Sequence, residues 1–98
     1  MKYRIEYSPE TLEHLRALSA RQQATVLDTV EKQLSFQPTM ETRNRKPMRP
    51  NPVAPWELRI GNLRVYYHID GIERIVRVLA VGIKQRDQVR IGKKVIKL

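Results

Sequence analysis

The sequence predicts an α+β fold: an N-terminal strand, a helical hairpin, then an antiparallel β-meander. Three observations predict it. Residues 2–7 alternate polar and apolar; residues 8–36 carry apolar side chains at helical spacing behind two N-cap signals; and from Trp56 the apolar period switches to two, interrupted by tight-turn dipeptides.

The first strand sets Lys2, Arg4 and Glu6 against Tyr3, Ile5 and Tyr7. Ser8-Pro9 then reads as a helix start, with Ser8 as N-cap and Pro9 at the first helical position. Leu12, Leu15 and Leu18 form a short apolar stripe. Ser19 restarts the pattern with Gln22 three residues on, the spacing of a capping box. Ala20, Gln23, Leu27, Val30 and Leu34, widened by Val26, carry the second helix to about Phe36, where Pro38 stops it. So short a connection predicts an antiparallel hairpin.

Residues 38–55 hold the prolines 38, 47, 50, 52 and 55 and the cations Arg43, Arg45, Lys46 and Arg49. They read as an extended basic loop, either functional or a plain linker. Trp56, Leu58 and Ile60 then alternate with Glu57 and Arg59. Gly61-Asn62 is a two-residue hairpin turn with Gly first. Leu63, Val65, Tyr67 and Ile69 alternate with Arg64, Tyr66 and His68, and Asp70-Gly71 reads as a second two-residue turn. The run Ile72–Ile83 is apolar on both faces, which predicts a central strand. The basic tail from Lys84 is less patterned, and Val95, Ile96 and Leu98 offer a last strand or a short packing element.

Length and composition bound the function. A chain of 98 residues predicts a single domain over 1–98. It has no cysteine, which excludes disulfides, thiolate metal sites and a cysteine nucleophile and fits a reducing cytosol. Residues 1–8 have no apolar signal region, and no apolar run approaches the length of a membrane span. A cytoplasmic protein without a membrane partner is expected. Nineteen Lys+Arg against ten Asp+Glu give a net charge of +9, which implies a polyanionic partner.

Two-residue turns convert the sequence into a register map. Around Gly61-Asn62, Ile60 faces Leu63, Arg59 faces Arg64, Leu58 faces Val65 and Glu57 faces Tyr66. Around Asp70-Gly71, Ile69 faces Ile72, His68 faces Glu73, Tyr66 faces Ile75 and Arg64 faces Arg77. One sheet face then carries Leu58–Val65–Val76 and Ile60–Leu63–Val78 as the core. The other carries the row Arg59–Arg64–Arg77 beside Glu57, Tyr66 and Ile75. Like charges opposite each other cost up to about 1 kcal/mol a pair. An anion relieves that cost, and the arginine fork suits phosphate. The competing reading is a solvated face neutralised by Glu57.

The sequence has no P-loop, no dinucleotide-binding glycine fingerprint and no HExxH. His14 and His68 lack ligand spacing: His14 reads as a helix-surface residue and His68 as an ion-pair partner of Glu73. No metal and no cofactor are expected. Phosphodiester cleavage without metal stays open, with the 2′-hydroxyl of RNA as nucleophile, arginines stabilising the phosphorane, and Glu57, Tyr66 or His68 as proton-transfer candidates.

The "KPM" at Lys46–Met48, WELRIGNLRVYYHI over Trp56–Ile69 and VGIKQR over Val81–Arg86 together resemble the RelE/ParE superfamily of type II toxin–antitoxin toxins, and the likeness covers nearly the whole chain. It implies a RelE-like fold and a cognate antitoxin. RelE-like members cut mRNA in the ribosomal A site, whereas ParE-like members poison DNA gyrase without nuclease activity. Carried over, Arg64 matches the arginine at the scissile phosphate, Arg59 a basic residue on the preceding strand, and Lys84 or Arg86 a cation after the "VG". Glu57 stands where well-known RelE-like enzymes keep a basic residue, Arg90 near a catalytic tyrosine of some, and the tail lacks the late histidine of others. The arginine row and the resemblance together favour a ribosome-dependent mRNA endoribonuclease, with Arg64, Arg59 and Lys84 as catalytic candidates that the resemblance implies and Glu57 as one from its place on the arginine face. Arg77, Tyr66, Arg86, Arg90, Lys46 and Arg49 are the phosphate- or RNA-binding candidates. The alternatives are a gyrase inhibitor and a weakened toxin acting mainly through its antitoxin.

Overall fold

The computed structural model describes residues 2–97. Its elements run β1 (Arg4–Tyr7), α1 (Pro9–Arg16), α2 (Ala20–Leu34), β2 (Arg45–Pro47), β3 (Trp56–Ile60), β4 (Leu63–Asp70), β5 (Ile75–Gln85), β6 (Gln88–Ile91) and β7 (Lys94–Ile96). The expected α+β architecture is present. The suggestion that Leu98 joins a last strand lies outside the described residues.

Local chemistry sets the helices. The Ser8 hydroxyl caps α1 by accepting from the Thr11 N–H at 3.1 Å. At α2 the Ser19 hydroxyl accepts from the Gln22 N–H at 3.1 Å, while the Gln22 side chain accepts from the Ser19 N–H at 3.0 Å. This reciprocal pair satisfies two donors that helix geometry leaves without partners. The second helix ends at Leu34, before the expected Phe36, because Gln37 already takes a positive φ of 51°.

The sheet runs β2-β3-β4-β5-β6-β7, all antiparallel, and β1 adds in parallel to β5. The stretch expected as a structureless loop contains β2, which pairs Arg45, Lys46 and Pro47 with Leu58, Glu57 and Trp56. The following turn is tied by Asn51. Its amide donates to the carbonyls of Arg49 (2.7 Å) and Ala54 (2.9 Å), and its carbonyl oxygen accepts from Val53 and Ala54 N–H. The basic tail folds into β6 and β7, with Gly92 at φ 60° in the turn between them.

The first hairpin has the expected register: Ile60↔Leu63, Arg59↔Arg64, Leu58↔Val65, Glu57↔Tyr66. The second does not. Its connection is four residues long, because the Asp70 carboxylate accepts from the N–H groups of Ile72 (3.0 Å) and Glu73 (2.9 Å) and Arg74 adopts φ 56°. Those N–H bonds, Glu73's above all, hold the Asp70 carboxyl below the usual range. Ile72 is 93% exposed and outside the strand, and Asp70 pairs with Ile75. A bulge then leaves Leu79 unpaired between Val78, opposite Tyr67, and Ala80, opposite Tyr66. Together these displace the expected partners: Arg64 faces Gly82, not Arg77, and Arg77 faces His68. The core rows become Leu58–Val65–Val81 and Ile60–Leu63–Ile83, in place of rows through Val76 and Val78.

The bulge also changes which β5 residues face the helices. Val76, Val78 and Val81 join Leu15, Leu18, Val26, Val30, Leu34, Leu58, Leu63, Val65 and Tyr67 in the helix-side core. Ala80 points the other way, into a smaller core with Ala54, Tyr66, Val89 and Ile91. Trp56 stacks on its cross-strand partner Tyr67 at 6.0 Å, and the Tyr67 hydroxyl donates to the Pro38 carbonyl at 3.0 Å.

On one edge β5 pairs with β1 over Ile75–Val78 and with β6 over Gly82–Gln85. The gap between them is filled by α1. Thr11 Oγ1 and the Ser8 N–H donate to the Val78 carbonyl at 2.9 and 3.0 Å, and the Val81 N–H donates to His14 Nδ1 at 3.3 Å. His14 is thus a partly buried acceptor, not the free helix-surface residue expected. Burial lowers its pKa from 6.5, against a smaller opposing influence from Glu10 and Glu13. With the folded-state pKa below the unfolded one, the unfolded chain binds the extra proton as pH falls. This contribution is complete above about pH 6.5 and declines as pH drops below it. A His14→Asn variant is expected to flatten that part of the stability–pH profile, measured by urea unfolding between pH 7.5 and 5.

Candidate functional site

On the sheet face away from the helices, β3, β4 and β5 and the 46–52 segment enclose a cleft of about 680 Å³. Lys46, Arg49, Arg59, Arg64, Lys84 and Lys97 line it, with Glu57 as its one carboxylate among the described residues. Strand alternation puts these side chains together. Glu57 and Arg59 are two apart on β3, Arg64 is opposite Arg59 on β4, and Lys84 lies on β5 two residues beyond Arg64's partner Gly82. Lys46 arrives through the β2–β3 register, opposite Glu57.

The charges are unequally matched. Arg59 Nε donates to Glu57 Oε1 at 2.8 Å. Arg64 folds back over the hairpin and donates to the carbonyls of Gly61 (2.7 Å) and Leu63 (2.9 Å). Lys46 and Lys97 make long or exposed pairs with Glu41 (3.9 Å) and Asp87 (3.3 Å). Arg49, Arg64 and Lys84 have no carboxylate within 4.0 Å among the described residues. Surface pairs of this kind are worth little, so the cleft keeps a strong positive potential.

Of the residues singled out from the sequence, Glu57, Arg59, Arg64, Lys84, Lys46 and Arg49 meet in this cleft. Four do not. Arg77 is displaced by the β4–β5 register and is held between Glu6 (3.5 Å) and Asp70 (3.7 Å). Arg90 faces Ile83 and so lies on the helix side of the sheet. Arg86 is exposed in the β5–β6 turn at φ 58°. Tyr66 is fully buried in the smaller core opposite Glu57 and does not line the cleft, and its hydroxyl finds no hydrogen-bond partner of good geometry among the described residues. Burial first and the neighbouring Glu57 charge second push its pKa far up, so it remains a neutral phenol. His68 is exposed opposite Arg77, outside the cleft. Lys97 is the cleft residue the sequence did not single out; only the general basicity of the tail pointed to it.

Chemically, the cleft brings the cross-strand partners Arg59 and Arg64 together with flanking lysines and, among the described residues, one carboxylate. That arrangement has the chemistry to hold an extended anion through charge-assisted hydrogen bonds. A helix-backed sheet with a cationic cleft on its open face defines a class of small basic α+β proteins.

The comparisons give this class its family. Residues 5–88 match the family described as the ParE toxin of type II toxin-antitoxin systems, parDE. The chain belongs to that family and is a type II toxin–antitoxin toxin within the RelE/ParE superfamily. Its fold is similar to that in the toxin–antitoxin complex RelBE2 of Mycobacterium tuberculosis, with TM-score 0.75 and 26% identity over 86% of this chain and 93% of that one. It is also similar to that in the archaeal RelE–RelB complex of Pyrococcus horikoshii OT3, with TM-score 0.70 and 17% identity over 88% of this chain and 99% of that one. The third is a mutant of the E. coli toxin RelE in the free state, with TM-score 0.63 and 22% identity over 88% of this chain and 86% of that one. No curated protein is a significant match. Among the described residues no helix is long and apolar enough to cross a membrane.

Proposed function

We propose that this toxin is a metal-independent mRNA endoribonuclease that acts on ribosome-bound message and is restrained by a cognate antitoxin. The observation that carries the reading is the adjacent pair Arg59 and Arg64 in a cleft with Lys46, Arg49 and Lys84. In this reading the RNA 2′-oxygen bonds to phosphorus and the P–O5′ bond breaks, giving a 2′,3′-cyclic phosphate and a 5′-hydroxyl. Arg64 and Arg59 stabilise the charge on the phosphorane oxygens. Glu57, the one carboxylate lining the cleft among the described residues, accepts the 2′-hydroxyl proton, and Lys84 or water protonates the departing 5′-oxygen. The antitoxin partner is supported by the complexes of the structural relatives, and its carboxylates would suit the cationic cleft.

The family match favours a second reading, a ParE-like inhibitor of DNA gyrase. The buried Tyr66 phenol and the exposed, distant His68 also favour it, since they leave few groups for proton transfer. One experiment separates the two: the toxin is expressed and transcript 5′ ends are mapped, with purified translating ribosomes as the controlled version. New 5′-hydroxyl ends inside translated message, absent without ribosomes, are expected. Uncut message with accumulated cleaved DNA would replace this proposal by the gyrase reading.

A further inference from the structure

We propose that Glu57 is a built-in counterion that holds Arg59 until a phosphate takes it, and so limits how tightly the cleft binds small anions. This rests on reading the cleft as a phosphate site.

Glu57 is an unusual residue to find there. Its side chain is only 12% exposed, against 48% for Arg59, and it is one of three buried polar or charged residues, with Thr11 and Ser35. A carboxylate so placed requires a partner, and Arg59 Nε supplies it at 2.8 Å. Across the strands stand Lys46 on one side and the buried Tyr66 on the other. Arg59 itself faces Arg64, a repulsive pairing that the Glu57 charge relieves. Glu57 thus makes it tolerable for two arginines to stand opposite each other without an anion. Its position has a second consequence. Arg59 spends its Nε on Glu57, and a phosphate drawn between the two arginines meets a carboxylate already touching one of them. The phosphate must take Arg59 from Glu57 or bind against its charge.

A lone phosphate bears that whole penalty on one or two contacts. A polynucleotide spreads it over Arg49, Lys84, Lys46 and Lys97 as well. Glu57 therefore biases the cleft against free phosphate and mononucleotides and toward an extended chain. In the cleavage reading, the same exchange releases the carboxylate from Arg59 when the phosphate arrives.

The test is calorimetric titration with inorganic phosphate at fixed ionic strength, on the wild type, Glu57→Gln, Arg59→Ala, Arg64→Ala and the Glu57→Gln/Arg59→Ala double variant. Glu57→Gln is expected to bind phosphate about three- to tenfold more tightly. The gain should vanish when Arg59 is alanine. Equal or weaker binding by Glu57→Gln, with wild-type binding that Arg64→Ala abolishes, overturns the counterion role and leaves the phosphate-site reading standing. Absence of phosphate binding in both the wild type and Glu57→Gln overturns the two together. A gain that persists without Arg59 also overturns the proposal, because it reports net charge alone. If Glu57→Gln does not fold, Glu57→Asp withdraws the carboxylate from Arg59 by one methylene. A smaller gain is expected there, and wild-type affinity would overturn the proposal.

Discussion

Arg64→Ala is expected to abolish growth arrest on expression, with cleavage of ribosome-bound message falling about 10²- to 10³-fold, the usual cost of removing one preorganised charge-stabilising donor. Stability should hardly move. Among the described residues the Arg64 side chain hydrogen-bonds only the carbonyls of Gly61 and Leu63 at the hairpin. Such partly exposed positions usually change stability by about 0.5 kcal/mol or less. Thermal unfolding and toxicity measured on the same preparation separate the two effects. Arg64→Lys keeps the charge and loses the two-pronged fork, so partial activity is expected. Full activity in Arg64→Ala would remove the arginine pair from the mechanism.

Gly82→Ala is expected to do the reverse, striking the fold first. A Cβ on Gly82 would lie 2.6 Å from the Arg90 carbonyl oxygen and 2.7 Å from Val89 Cγ1, where β5 packs against β6. The nearest obstruction is backbone, which a rotamer change cannot relieve. Overpacking of this kind costs about 1–3 kcal/mol. In a domain of this size each kcal/mol lowers Tm by about 4–8 °C. Because β6 contributes Val89 to the cleft wall and β7 pairs only with β6, the Arg64–Lys84 side of the cleft should loosen as well. Toxicity is expected to fall with stability, and lowering the assay temperature should restore part of it. A wild-type Tm would show that the β5–β6 contact can separate without cost.

Glu57, Arg59 and Arg64 were legible in the sequence because Gly61-Asn62 leaves a hairpin only one register, and alternation then decides which side chains share a face. Arg77 was misplaced because Asp70-Gly71 has the composition of a two-residue turn, yet the Asp70 side chain captures two N–H groups and opens it to four. The bulge at Leu79 left no signal either. A run of apolar residues reads the same whichever face each one takes, and the parity change between Val78 and Val81 is forced by packing on both sides of β5. His14 is a third case. A lone histidine on a helix carries no pattern, and its role follows from the break between β1 and β6 on the β5 edge.

The sequence by itself determined what local rules govern: the caps that start both helices, the strand alternation, the first hairpin, the excess of positive charge and the pairing of Arg59 with Arg64. The tertiary structure decided which cations gather. It recruited Lys46 by adding β2 beside β3, brought Lys84 beside Arg64 through the bulged β4–β5 register, set the exposed Lys97 at the rim and excluded Arg77, Arg86 and Arg90. The physical reason is that register beyond a tight turn depends on long-range packing. Each residue added to or lost from a connection carries every following side chain to a new partner, and local sequence does not count those residues.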